Sequence, residues 1–208
     1  MNIGLLGCGV VGGGIMDFCA ERTDLRVTKV LVRRERPELG DRAVTDIGAI
    51  TGDAGIGIVI EVMGGLHPAY EYICQALRSG KHVVTANKAV ISAFYPELIR
   101  LAAENGVTLR CTAAVGGGIP WLTNLERCKR LDAICEIGGI MNGTTNFIMD
   151  AMHAAPVSFP AILKQAQELG YAEADPSADI DGDDVRRKLT ISANVAFDAL
   201  IREEDIPM

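Results

Sequence analysis

A glycine-rich turn near the start of the chain limits the possible folds more than any other feature of the sequence. Residues 7–12 read GCGVVG and match the pattern GxGxxG. They follow a short apolar run typical of a strand and precede a segment whose pattern predicts a helix. This is the context in which GxGxxG binds a dinucleotide. The glycines allow a tight turn and a close approach of backbone to a pyrophosphate, whose charge suits the helix N-terminus. A turn whose glycines only permit close packing is the alternative. The residues expected to contact the cofactor here are Gly7, Gly9, Val10, Val11 and Gly12.

The first half of the chain alternates short apolar runs with longer segments of helical period. We expect strands at residues 2–6, 26–32, 56–62, 82–85 and 107–111, and helices at 11–21, 68–79 and 94–105. Gly80 and Gly106 follow the second and third helices, where glycine readily forms a left-handed cap. Brief apolar strands are typical of a sheet covered on both faces, and crossover connections are nearly always right-handed. The pattern therefore predicts an α/β fold with a doubly wound parallel sheet.

The character of the sequence changes after the glycines at 116–118 and Pro120. A strand-like run follows at residues 133–141, then the sequence NGTTN at 142–146, then helical segments at 160–169 and 183–200. We expect a domain boundary here, with a nucleotide-binding domain at 1–117 and a partial α+β domain at 118–208.

Two arginines after the second predicted strand bear on the choice of cofactor. An acidic residue at this position binds the ribose 2′-hydroxyl of NAD, whereas arginine accepts the 2′-phosphate of NADP. The sequence reads Arg33-Arg34-Glu35, so the nearest acid comes after both arginines. We therefore expect NADP, with NAD also possible. Solvated surface arginines are the alternative.

Two lysines are candidates for substrate binding or catalysis. Lys88 follows the predicted strand at 82–85, and ligands of open α/β sheets bind at the carboxyl ends of strands. Lys188 lies four residues after Asp184 on a predicted helix, so both side chains share one face. A carboxylate can orient an ammonium group for proton transfer there. An ordinary surface ion pair is the alternative for Lys188, and a solvated charge is the alternative for Lys88.

Composition and charge exclude several classes of partner. The net charge is −7 and the isoelectric point about 5.0, so a surface that binds nucleic acid would oppose the overall field. No apolar run reaches the roughly 20 residues that cross a bilayer, and the first residues lack the basic start of a secretion signal. The six cysteines form no CxxC pair. We expect a cytoplasmic protein that binds neither nucleic acid nor membrane.

Six segments occur in order along the chain: GLLGCGVVGGGI, EVMGG, GKHVVTANKAV, AAVGGGIP, NGTTNFI and ELGYAEADPSADIDGDDVRRKLTI. Together they resemble the motif series of the homoserine dehydrogenase family, and the resemblance covers essentially the whole chain. It implies a Rossmann-type domain followed by part of a substrate and dimerisation domain. The implied reaction is the reversible NAD(P)-dependent interconversion of L-homoserine and L-aspartate 4-semialdehyde, on the route to threonine and methionine. A homodimer is also implied.

The resemblance assigns roles to individual residues. Lys188 matches the lysine that moves a proton at the substrate oxygen, and Lys88 matches a second essential lysine near nicotinamide and substrate. Asp184 matches a residue that orients this chemistry, and Gly64 in EVMGG matches a cofactor contact. The positions that match homoserine-binding residues are Gly143, Thr144, Tyr171, Glu173 and Asp179.

Two departures from the family pattern qualify these expectations. Thr112 stands where the family commonly has a glutamate that helps to bind a monovalent cation. The main-chain oxygens of Val115, Gly117 and Ile119 match the remaining ligands of that metal site. Family members also continue past the position of Met208, so we expect a C-terminally short form or a fragment. The competing hypotheses are an inactive nucleotide-binding fragment and a Rossmann oxidoreductase with another substrate, which leaves NGTTN and the acidic segment before Lys188 unexplained.

Overall fold

The computed structural model describes residues 1–34 and 36–207 of the chain. These divide into two compact units, Met1–Asn124 and Leu125–Met208. The domain boundary predicted from sequence, after Gly117, lies seven residues before this division. The end of the nucleotide-binding domain at Gly117 stays a prediction.

A parallel sheet forms the centre of the first unit. Its strands are β1 (Asn2–Leu6), β2 (Arg26–Leu31), β3 (Ala43–Val44), β4 (Ile56–Glu61), β5 (His82–Thr85) and β6 (Leu109–Arg110). They lie in the order β3-β2-β1-β4-β5-β6, and all neighbours are parallel. The strand order reverses between β1 and β4, where the carboxyl ends of such strands leave a crevice for ligands. The expected α/β doubly wound class is confirmed.

Helices cover the sheet and make up most of the second unit. They are α1 (Val10–Ala20), α2 (Gly48–Thr51), α3 (Ala69–Arg78), α4 (Lys88–Glu104), α5 (Trp121–Lys129), α6 (Gly143–Ala154), α7 (Phe159–Glu168), α8 (Ser177–Ile180) and α9 (Asp183–Phe197). In the core of the first unit, Leu5 of β1, Ile73 and Leu77 of α3 and Leu98 of α4 are fully buried. Within the described ranges, no helix has both the length and the apolar character needed to span a bilayer.

Helix α4 begins six residues before the predicted start at 94. The Asn87 side chain accepts a hydrogen bond from the Val90 N–H, which caps a first turn that starts at Lys88. The backbone then leaves helical geometry at Phe94, two residues before Pro96. Proline cannot supply the helical N–H and crowds the preceding turn, so α4 is kinked there.

The strand expected at residues 133–141 is wrong. This segment has no regular secondary structure, and it is mostly exposed. The side chains of Leu131 and Ile140 near its ends are 89% and 81% exposed. A strand needs a neighbour to take up its backbone N–H and C=O groups, and the part of the second unit that the structure describes offers no other strand.

The second unit has its own small core between two helices. Ile148 of α6 packs with Ile162 and Ala166 of α7, and Ala172 in the following loop joins the cluster. The helix predicted at 160–169 agrees with α7 to within one residue, and α9 ends three residues before the predicted end of its helix. Helix α6 was not predicted, because NGTTN suggests a turn. In the structure Asn142, the first residue of this motif, is the N-cap of α6.

Candidate active site

A cavity of about 690 Å³ opens at the carboxyl ends of β1, β2 and β4. This is where the change of strand order predicts a ligand site. Gly7 and Gly9 of the glycine-rich turn line it together with Arg33 and Arg34. The other lining residues are Cys8, Leu31, Val32, Arg36, Thr45, Val62, Met63, Pro68 and Tyr72. The predicted cofactor residues Val10, Val11, Gly12, Gly64 and Lys88 lie outside this lining.

The glycine-rich turn has the geometry that the GxGxxG pattern requires. Gly7 has a φ of +95°, which a side chain would strain. A Cβ on Gly12 would lie 2.4 Å from the Gly7 carbonyl oxygen, so this glycine allows α1 to pack against the turn. A Cβ on Gly9 would meet nothing within 4 Å, so the backbone there is open to an incoming group. Val10 and Val11 form the first turn of α1, whose N–H groups have no acceptors within the helix. These features fit a dinucleotide pyrophosphate.

Three arginines border the same cavity. Arg33 and Arg34 follow β2, as predicted, and Arg36 lies beside them. The Arg36 Nη1 donates a hydrogen bond of 3.1 Å to the carbonyl oxygen of Cys8 in the glycine-rich turn. Sequence analysis missed Arg36, although the run RRER offered a signal. Glu35, the acid that would favour NAD, lies outside the described residues.

A fully buried carboxylate organises the loop that contains Gly64. The Thr85 hydroxyl and the Met63 N–H donate to Glu61 at 2.5 and 2.8 Å. The Asn87 Nδ2 lies 3.4 Å from Glu61 and donates a shorter bond of 2.7 Å to the Gly65 carbonyl oxygen.

This network fixes the N-terminus of α4, where Lys88 is half-buried at the first position. Sequence analysis placed Lys88 after a strand but missed Glu61, because a single glutamate in EVMGG does not reveal its partners.

The second unit contains the predicted lysine and carboxylate pair. On α9, the Nζ of Lys188 lies 2.6 Å from Oδ2 of Asp184, and their side chains are 18% and 9% exposed. The same Nζ donates a hydrogen bond of 2.6 Å to the Met141 carbonyl oxygen. An ordinary surface ion pair has neither this burial nor this second acceptor, so the geometry of Lys188 and Asp184 differs from that alternative.

The residues around this pair form one polar cluster. Asn142 donates to Asp179 at 2.6 Å and to Asp184 at 3.0 Å. The Thr144 hydroxyl lies 2.6 Å from the Tyr171 carbonyl oxygen and 2.9 Å from Asp179 Oδ2. Two predicted residues, Asp179 and Asp184, therefore meet at Asn142, and a third, Thr144, joins them through Asp179. Sequence analysis did not single out Asn142.

The remaining predicted substrate residues lie around this cluster. Gly143 is exposed at the first position of α6. The Tyr171 ring stacks on Phe147 at 4.6 Å. Glu173 is exposed, and its backbone carbonyl oxygen accepts a hydrogen bond from the Gln167 side chain. In the same acidic loop, hydrogen bonds from Ser177 hold the pKa of the Asp175 carboxyl below its usual value.

The residues matched to a monovalent cation lie in a tight turn of the first unit. Thr112 begins a 3-10 turn, Gly117 has a φ of +57°, and Val115 lies between them. The Ile119 carbonyl oxygen accepts a bond of 2.8 Å from the Trp121 N–H, which leaves it one lone pair for a cation. Thr112 contributes no charge to this turn. In the described part of the chain, no three His, Cys, Asp or Glu side chains form a metal-binding group.

Comparisons with known proteins identify both units. The family model described as the NAD binding domain of homoserine dehydrogenase matches residues 7–112, and the homoserine dehydrogenase model matches residues 120–208. The homoserine dehydrogenase of Synechocystis is 43% identical, over 99% of this chain and 50% of its own length.

Solved structures give the same result. The homoserine dehydrogenase of Thiobacillus denitrificans has a TM-score of 0.90 at 38% identity, over 98% of this chain and 50% of that one. A hyperthermophilic archaeal homoserine dehydrogenase in complex with NADPH has a TM-score of 0.83 at 27% identity, over 94% of this chain and 69% of that one. The chain spans about half the length of the curated relatives it matches. With family models over both units, the chain belongs to the homoserine dehydrogenase family.

Proposed function

We propose that this chain catalyses the reversible NADP-dependent oxidation of L-homoserine to L-aspartate 4-semialdehyde, a reaction on the route to threonine and methionine. The observation that carries the proposal is the largely buried pair of Lys188 and Asp184, which Asn142 joins to Asp179 and, through Asp179, to Thr144. Hydride chemistry needs a cofactor site, a group that moves one proton and groups that hold the substrate. The family relationship supports the assignment of these residues to homoserine.

Lys188 is the group that moves the proton. Oxidation of the alcohol transfers a hydride from the hydroxyl-bearing carbon and a proton from the oxygen. A nicotinamide cofactor held at the glycine-rich turn would accept the hydride. The neutral Lys188 amine takes the hydroxyl proton, and in the reverse direction its ammonium returns a proton to the aldehyde oxygen. Asp184 and the Met141 carbonyl oxygen orient the Nζ for this transfer.

The neighbouring polar groups suit the amino acid part of the substrate. Asp179 offers a carboxylate to the substrate ammonium group, and the Thr144 hydroxyl lies next to it. The proposed homoserine site also includes Gly143, next to Thr144 in the sequence, and Tyr171 and Glu173, shortly before Asp179. By the family resemblance, Lys88 is proposed as a second essential lysine near nicotinamide and substrate.

NADP is the proposed cofactor. Arg33 and Arg34 border the cavity that holds the glycine-rich turn, and Arg36 adds a third positive charge there. Guanidinium groups bind phosphate through strong charge-assisted hydrogen bonds. The family member solved with NADPH supports this choice.

The wider assignments follow the family resemblance. We propose a homodimer in the cytoplasm, without nucleic-acid or membrane partners. A monovalent cation at Val115, Gly117 and Ile119 would be held by carbonyl oxygens alone, because Thr112 is neutral, and no catalytic step depends on it. Sedimentation of the purified chain tests the dimer.

The test is the reduction of NADP by the purified chain with L-homoserine, with L-serine as a control substrate. We expect reduced cofactor with homoserine and none with serine. Cofactor binding without turnover would instead identify the chain as an inactive nucleotide-binding fragment. Turnover with serine at an equal rate would indicate an oxidoreductase with another substrate.

A further inference from the structure

The side chain of Asn142 uses every hydrogen-bonding position that it has. Its Nδ2 group donates one hydrogen to Asp179 Oδ1 at 2.6 Å and the other to Asp184 Oδ2 at 3.0 Å. Its Oδ1 accepts from the Thr145 N–H at 2.7 Å and from the Thr145 hydroxyl at 2.9 Å. The residue is 3% exposed.

These contacts determine which way the amide faces. In the opposite orientation, Oδ1 would face two carboxylates and the NH₂ group would face the Thr145 N–H. That orientation replaces the hydrogen bonds to charged groups with repulsion, and such bonds are among the strongest in proteins. Asn142 is therefore held as a rigid bridge between two carboxylates that lie 37 and 42 residues further along the chain.

We propose that Asn142 is a positioning residue that sets the geometry of Asp179 and Asp184 and, through Asp184, that of Lys188. The preceding residue, Met141, supplies the carbonyl oxygen that also holds Lys188, so two adjacent residues orient both partners of the proton-transfer pair. This inference rests on the proposed function, since the bridge matters for catalysis only if Lys188 moves a proton.

The chemistry of the bridge calls for an amide. A neutral group with two N–H donors satisfies both carboxylates, and the two lone pairs of Asp184 Oδ2 accept from Asn142 and Lys188 at once. Aspartate has the same shape but no donor, and it adds a third negative charge. Serine has a single O–H donor, so it cannot donate to both carboxylates.

Two variants separate this role from that of a helix cap. Aspartate and serine are as good as asparagine at an N-cap, so a purely structural role predicts near wild-type turnover for Asn142→Asp and Asn142→Ser. The positioning role predicts that kcat falls about 10- to 100-fold in both, the usual worth of hydrogen bonds to charged groups. The dissociation constant of NADPH should not change. We expect kcat to fall further in Asn142→Asp than in Asn142→Ser, and the acidic limb of the pH–rate profile of Asn142→Asp to move to higher pH.

The matched control is Asn105→Asp, at the exposed end of α4, which should keep wild-type kcat. Near wild-type kcat in both Asn142 variants would overturn the proposal.

A second measurement does not need turnover. In the NMR spectrum of the cofactor-free chain, the two Asn142 side-chain amide protons should exchange slowly and resonate downfield of those of Asn105. Asp184→Asn should move one of them upfield and Asp179→Asn the other. Exchange as fast as at Asn105, or no response to either substitution, would overturn the bridge. If the wild-type chain showed these shifts but did not reduce NADP, the proposed function would fail while the bridge stood.

Discussion

The Nζ of Lys188 and the Oδ2 of Asp184 lie 2.6 Å apart on successive turns of α9, and both side chains are largely buried. Lys188→Ala should lower kcat by roughly 10²–10⁴, the usual contribution of a positioned acid or base. NADPH affinity should stay nearly the same, because Lys188 is assigned to proton transfer at the substrate oxygen and not to phosphate binding. Asp184→Ala should reduce kcat less, since the carboxylate orients the lysine.

The control for Lys188→Ala is a lysine in an exposed pair of the same spacing. Lys164 lies 3.8 Å from Glu168 on α7, and its side chain is 78% exposed. Lys164→Ala should change stability by at most about 1 kcal/mol and leave turnover unchanged. If Lys188→Ala behaved like this control, Lys88 would become the leading candidate for proton transfer.

The arginines at the cofactor cavity predict a preference for NADPH over NADH. Replacement of both Arg33 and Arg34 by alanine should weaken NADPH binding about 10- to 100-fold, because the loss of one hydrogen bond between charged groups already costs about 1.5–3 kcal/mol. NADH affinity should change little. Calorimetric titration of both cofactors measures this, and Arg100→Ala at an exposed site on α4 is the control. A preference for NADPH that survives the double substitution would contradict the assignment.

Gly12 and Gly14 lie on opposite faces of α1, and we expect alanine to have opposite effects at the two positions. A Cβ on Gly12 would lie 2.4 Å from the Gly7 carbonyl oxygen, so Gly12→Ala should cost about 1–3 kcal/mol and weaken cofactor binding. A Cβ on Gly14 would meet nothing within 4 Å, so Gly14→Ala should stabilise the helix by about 0.5–1 kcal/mol. Thermal unfolding with and without NADPH distinguishes the two. Equal effects at both positions would show that the turn can shift.

An ion pair at the other end of the sheet predicts a dependence of stability on pH. The hydrogen bond from Lys29 and the Gly55 N–H hold the pKa of the Asp53 carboxyl below its usual value. Because this pKa is lower in the folded state, the stabilisation is present above the unfolded pKa and is lost as pH falls through the folded one.

Lys29→Met should therefore raise the pKa of Asp53 in a carboxyl NMR titration. It should lower the free energy of unfolding at neutral pH, with a smaller difference at acid pH. An unchanged Asp53 pKa in this variant would refute the assignment to Lys29.

Sequence alone predicted the features that depend on local spacing. The strands at 2–6 and 82–85 agree with β1 and β5 in both bounds, because strands covered on both faces are short and apolar throughout. The spacing of four residues placed Asp184 and Lys188 on one helical face, and the structure confirms their contact.

Features that depend on distant partners were not predictable. The role of Asn142 arises from carboxylates that the fold brings to it from 37 and 42 residues away. Glu61 became part of a buried network through Thr85 and Asn87, 24 and 26 residues further on. Residues 133–141 have the composition of a strand, but pairing decides whether a strand forms, and composition does not show which neighbours are present.

The most direct test of the central claim follows the hydride itself. The chain is incubated with NADP and L-homoserine that carries deuterium on the hydroxyl-bearing carbon, and the reduced cofactor is analysed by mass spectrometry. We predict reduced NADP that contains one deuterium, formed together with L-aspartate 4-semialdehyde, and none in Lys188→Ala over the same time. Reduced cofactor without deuterium, or no reduction by the wild-type chain at saturating substrate, would contradict the assignment of homoserine oxidation to this chain.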